Sequence, residues 1–140
     1  MRRVAAALLT VCALMSLAGT ASAQPPQPQP PQQPLALTDR AAQLLDAVVA
    51  GNYAAVTADF DPTMRKRLTP QALGSAWTTY QEVFGLYQSH DDPQQVPRGD
   101  LTVVSVPLDM AKQPGEFRLK FHGDGTIAGL YFLKAGVPIP

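Results

Sequence analysis

Residues 116–133 read EFRLKFHGDGTIAGLYFL, and the reading of this stretch decides the fold class. From Glu116 to His122 charged and apolar residues alternate without a fault. A period of two belongs to a β-strand, so 116–122 predicts a strand with Phe117, Leu119 and Phe121 on one face. Glu116, Arg118, Lys120 and His122 then form a wet face. Gly123-Asp124-Gly125 supplies a turn. Residues 126–133 predict an antiparallel partner that is apolar on both sides, with Ile127, Tyr131 and Leu133 opposed to Ala128, Leu130 and Phe132. Upstream, 101–110 predicts a strand whose buried face is Thr102, Val104, Val106, Leu108 and Met110, with Pro107 marking an edge or a bulge. Residues 86–89 predict the start of the sheet and 91–99 a loop.

Further toward the N-terminus the period becomes helical. Thr38 is suited to cap a first helix, with Asp39 complementing its dipole. Ala41, Leu44, Leu45, Val48 and Val49 fall on one face of that helix, and Gly51 stops it. Asn52 caps a short second helix facing inward through Tyr53, Val56 and Phe60. Asp61-Pro62 and Thr69-Pro70 are each an N-cap followed by proline at the first helical position. The first pair opens a turn or two ending at Leu68, with Met64 inward. The second opens a helix carrying Leu73, Trp77, Tyr80 and Phe84, which Gly85 ends. Helices followed by an antiparallel sheet make an α+β domain. The expected architecture is N-terminal helices packed on a curved sheet of about four strands, a half-open cone of the kind that holds pockets.

The chain ahead of the helices predicts targeting and spacing. Arg2 and Arg3 precede a nearly unbroken apolar run, 4–17, and Ala21-Ser22-Ala23 follows. Basic start, apolar stretch and A-x-A order describe a secretory signal peptide cleaved after Ala23. The run falls short of the roughly 20 residues that span a membrane, so no stable span is expected after cleavage. Residues 24–34, QPPQPQPPQQP, favour extended polyproline II, a semi-rigid spacer. The expected organisation is signal peptide 1–23, Pro/Gln leader 24–36, domain 37–134 and tail 135–140, in a protein exported to the periplasm or beyond. The single cysteine, Cys12, leaves with the signal peptide, so the mature chain has no disulfide, thiol nucleophile or thiolate metal site. The whole chain balances 11 basic against 11 acidic residues, and losing Arg2 and Arg3 leaves 9 against 11. That balance argues against a nucleic-acid partner.

The stretch from Leu44 to Gly85 resembles the helical half of domain-of-unknown-function family 3887. The similarity rests on Ala50-Gly51-Asn52-Tyr53, on Phe60-Asp61 before Met64 and Leu68, and on Leu73 four residues before Trp77. Val106-Pro107-Leu108 and the run from Phe121 to Leu130 extend it into the strands, so that it covers about 37–133. The resemblance implies a cystatin-like cone similar in shape to nuclear transport factor two. The family often precedes an α/β-hydrolase domain, but no G-x-S-x-G occurs in this sequence. Since the family has no agreed activity, the resemblance implies a fold and no mechanism.

Candidate chemistry is sparse. Ser89-His90-Asp91 holds the groups of a nucleophile and base, but neighbours in sequence do not converge as triad members must, and a solvated loop is the expected reading. His122 is expected at an exposed strand end. No H-E-x-x-H, metal loop or cysteine cluster is present, so no metal and no cofactor is expected. Asp61 is explained by its cap position. Asp59 is the one weak catalytic candidate, a pocket carboxylate of the type that serves as base in ketosteroid isomerase. Tyr53, Trp77, Tyr80 and Tyr131 are the candidate pocket residues, although a stripe such as Leu73, Trp77, Tyr80 and Phe84 is more often core than binding site. Two functions stay open: a non-enzymatic exported binding or accessory module engaging a small apolar ligand or a protein partner, and a small-substrate isomerase or dehydratase using one carboxylate. A homodimer through the outer sheet face is also expected, because no helix is left to cover Arg118 and Lys120 beside an apolar strand.

Overall fold

A computed structural model describes Pro26 and residues 35–140. The expected signal peptide, 1–23, and almost all of the expected leader, 24–36, therefore lie outside the described residues.

Four helices come first. Helix α1 (Leu37–Val49) begins one residue before Thr38, and Ala36 stands at its cap position without a side-chain cap. Leu37 reaches the core's edge, and the Ala36 carbonyl already accepts from the Arg40 amide, so the first turn closes earlier than the threonine suggested. At the other end the Asn52 amide bonds the Ala47 carbonyl and the Gly51 amide bonds Val48, the paired bonds of a Schellman stop. Helices α2 (Tyr53–Ala58), α3 (Pro62–Arg67) and α4 (Pro70–Phe84) start where the sequence expects them. The side chains of Asn52, Asp61 and Thr69 each accept from the amide three residues on.

The sheet has five antiparallel strands, one more than expected: β1 (Tyr87–His90), β2 (Gln94–Arg98), β3 (Leu101–Met110), β4 (Gly115–His122) and β5 (Ile127–Lys134). Their order is β1-β3-β4-β5, with β2 also paired to β3. The expected loop 91–99 is thus largely a strand. Its QQVPR sequence carries no alternation, and it is held by register against β3, Val96 opposite Val103. Pro107 falls between the stretch of β3 that pairs with β2 and the stretch that pairs with β1, so its missing N–H interrupts neither ladder.

The inner sheet face and the helices enclose the core. Ala41, Leu44, Leu45 and Val48 from α1 and Leu73, Trp77 and Tyr80 from α4 meet Val104, Val106, Phe117, Leu119 and Phe121. Ile127 also lies there, on the side of Leu130 and Phe132 and not with Tyr131 and Leu133 as strict alternation required. The register explains it: Lys120 faces Gly129 while Phe121 faces Ile127, so Ala128 is an extra residue that turns Ile127 inward.

The outer face of β4 is not wet as its alternation suggested. Glu116 is 9% exposed and Arg118 3%. They neutralise each other at 2.7 Å, and the Arg118 guanidinium also donates to the Val137 and Pro138 carbonyls. The C-terminal tail returns over this face and covers part of the surface expected to pair with a second copy. Tyr131 remains 42% exposed there.

Candidate functional site

Several concave regions are built by these elements. One lies between α4 and β5, a cleft of about 570 Å³ open to solvent along its length. Leu73, Tyr80 and Phe84 form its helix wall, Leu130 and Phe132 its sheet wall, and Ala76, Thr79, Val83 and Tyr131 its rim. It exists because the α4 stripe packs on the inner face at the last strand of the sheet, beyond which no further strand closes the gap among the described residues. Val83, 56% exposed, leaves apolar surface at the mouth.

Under the cleft lies a cluster of rings centred on Phe132. Its centroid is 5.1 Å from Trp77, 5.4 Å from Tyr80 and 5.7 Å from Phe117, and Tyr80 stacks on Phe84 at 4.3 Å. These spacings are those of favourable aromatic packing. The Tyr80 hydroxyl donates to the Leu133 carbonyl at 2.7 Å and accepts from the Glu116 amide at 3.2 Å, which ties α4 to both β4 and β5. Burial raises the Tyr80 phenol above its ordinary value and the Glu116 carboxylate adds to this, while the bond from the Glu116 amide opposes it. The same hydroxyl explains Gly115, where a Cβ would overlap it.

The candidate pocket residues are therefore divided. Tyr80 and Tyr131 line the cleft. Trp77 is 3% exposed and belongs to the packed layer beneath. Tyr53 borders a separate hollow across α4, with Gln71, Gly74 and Thr78. Asp59 is not in the cleft either. Its carboxylate pairs with Arg40 at 3.1 Å, and Arg40 also donates to the Gly125 carbonyl. Among the described residues no acidic, basic or imidazole side chain lines the cleft.

A second region is polar, bounded by Asp61, Pro62, Thr63, His122, Asp124 and Thr126. Asp61 uses one carboxylate oxygen to cap α3 and the other to meet His122 Nε2 at 2.9 Å. The Met64 amide is the first cause of its lowered pKa and the bond to His122 the second. Asp124 is lowered as well, first by the Thr126 hydroxyl and then by the Thr126 amide. Sequence reading assigned Asp61 and His122 correctly to a cap and a strand end but did not join them. Sixty-one positions separate the two, and no local pattern connects them. His90 sits at the end of β1 with Nδ1 against the Asp91 carbonyl and lines neither of these two regions.

The profile of the family described as "Protein of unknown function (DUF3887)" matches residues 41–130, more than half of the chain. The chain belongs to the DUF3887 family. The matched span runs from the middle of α1 to the middle of β5, so this DUF3887 domain comprises both the helices and the sheet that enclose the cleft. No curated protein and no solved structure matches the chain.

Proposed function

We propose that this DUF3887 domain is an exported, non-enzymatic binding module that takes a small apolar ligand in the cleft between α4 and β5. The observation that carries the reading is the lining: eleven residues, of which only Thr79 and two tyrosines bear polar side-chain groups. Tyr80 already spends its proton on Leu133. The volume is in the range of small-molecule sites, roughly 300–1,000 Å³. Apolar walls with few polar groups favour aliphatic or aromatic ligands held by area and not by directed bonds.

An isomerase or dehydratase would need a carboxylate in that apolar pocket, ionised so that it can take the substrate's proton. Asp59 supports this poorly, since it is engaged by Arg40 and lies away from the cleft. Export rests on the order of residues 1–23. Thermal melts of the mature chain against a panel of lipids and metabolites test the reading. Aliphatic and aromatic compounds should raise the midpoint, and Val83→Glu at the rim should abolish the rise while leaving the unliganded midpoint near its original value. A panel without a single stabilising apolar compound would count against it.

A further inference from the structure

Arg118 is the most deeply buried charged side chain among the described residues, with 4% of its side chain exposed. A guanidinium so placed is costly unless its charge is matched and its donors are used. Glu116 matches the charge through Nε at 2.7 Å. The two terminal nitrogens do not turn to side chains. Nη1 donates to the Pro138 carbonyl at 3.1 Å and Nη2 to the Val137 carbonyl at 2.5 Å. Arg118 thus reads two successive backbone carbonyls, a feature of any extended chain and independent of its side chains.

Around this anchor the sheet and the tail border an open hollow of about 350 Å³. Lys120, Tyr131 and Leu133 form the floor, and Val137, Pro138 and Pro140 lie across it. Lys120 Nζ stands 5.5 Å from the centroid of the Tyr131 ring, which orients the ring beside Arg118. Ser105, opposite Arg118 in register, keeps a buried hydroxyl without a partner. Prolines suit such a surface. They bring carbonyls without an N–H to satisfy, and their restricted backbone lowers the cost of ordering an extended segment on an aromatic floor.

Outside the two carbonyls that Arg118 holds, the tail is largely exposed. Val137 is 38% exposed, and Pro138 and Pro140 are exposed too. Gly136, at φ +82°, forms the turn that brings the segment back, a backbone state other residues rarely adopt.

We propose that the outer sheet face is a groove for an extended, proline-containing segment of a second protein, and that residues 137–140 are a strap closing it from within the chain. A tethered strap competes at an effective concentration on the order of millimolar, so a free segment binds well only once the strap has left.

The test uses the mature chain with a protease site inserted between Gly136 and Val137, which folds with the strap in place and loses it on cleavage. Fluorescein-labelled Gly-Val-Pro-Ile-Pro is titrated before and after cleavage and followed by anisotropy. Cleaved protein should bind at least ten-fold more tightly than uncleaved protein. Gly-Val-Ala-Ile-Ala should bind at least ten-fold more weakly than the proline peptide. Cleaved protein that keeps its melting transition yet binds the peptide no better than before would overturn the proposal. So would equal binding of the two peptides, or unfolding on cleavage, which would make the tail a structural lock.

Discussion

Tyr80→Phe removes one oxygen and leaves the aromatic packing of α4 in place. Two backbone groups then lose their partner, the Leu133 carbonyl and the Glu116 amide. Each bond contributes about 1 kcal/mol net, and a buried group left unpaired adds desolvation cost, so the expected loss is about 2–3 kcal/mol. For a domain of this size that corresponds to a fall in midpoint of about 8–24 °C. Gly115→Ala should also destabilise, because its Cβ would overlap the same hydroxyl. In the Tyr80→Phe background the closest remaining ring atom, Cζ, stands at 3.0 Å from that Cβ. The two substitutions should therefore be less than additive, with a coupling of about 1 kcal/mol in a double-mutant cycle. Alkaline pH gives a second readout. The folded chain holds the Tyr80 phenol above its ordinary 10.0, chiefly through burial. Its contribution is complete below that ordinary value and is lost as pH rises through the raised one. Tyr87, raised chiefly by burial and then by the Asp46 charge, acts in the same direction. Tyr80→Phe should flatten the alkaline fall in stability without abolishing it. Urea unfolding followed through Trp77 fluorescence measures all of this. A Tyr80→Phe protein as stable as wild type, with an unchanged alkaline limb and additive Gly115→Ala, would refute the bridging role.

Trp77→Ala should cost about 3–5 kcal/mol, as large aromatic truncations in a core do; a stable variant that had only lost ligand binding would place Trp77 in a site instead. Asp61, held below its ordinary 3.8 first by the Met64 amide and then by His122, contributes stability that is complete above that value and lost as pH falls through the lower folded one. Asp61→Asn should therefore flatten the acid limb of the stability profile, which denaturation between pH 2 and 5 would reveal. Intact mass of the exported chain should place its first residue at Gln24, and a retained Met1 or a lipidated Cys12 would contradict the signal-peptide reading.

The α+β class was legible because the helical stripe of α4 and the alternation of 116–122 are strong, local signals. The helix starts at Asn52, Asp61 and Thr69 were legible for the same reason, since a cap is a three-residue event. What escaped reading depends on distant residues. Strand β2 has no pattern of its own and is defined by β3 across a turn. The inward turn of Ile127 comes from a bulge that alternation cannot register. Arg118 reads as solvated until Val137 and Pro138 return to cover it. The site was legible in part. Tyr80 and Tyr131 reach the cleft, whereas the stripe that carries Trp77 describes core and wall alike, and only packing separates them.

We propose above all that the cleft between α4 and β5 takes apolar ligands. Amide chemical-shift mapping of the mature chain during titration with a medium-chain fatty acid tests it most directly. The expected perturbations centre on Ala76, Thr79, Val83, Leu130 and Phe132, saturate with one ligand per chain, and vanish in Val83→Glu. Perturbations centred on Thr63, His122 and Thr126, or none at millimolar ligand, would contradict it.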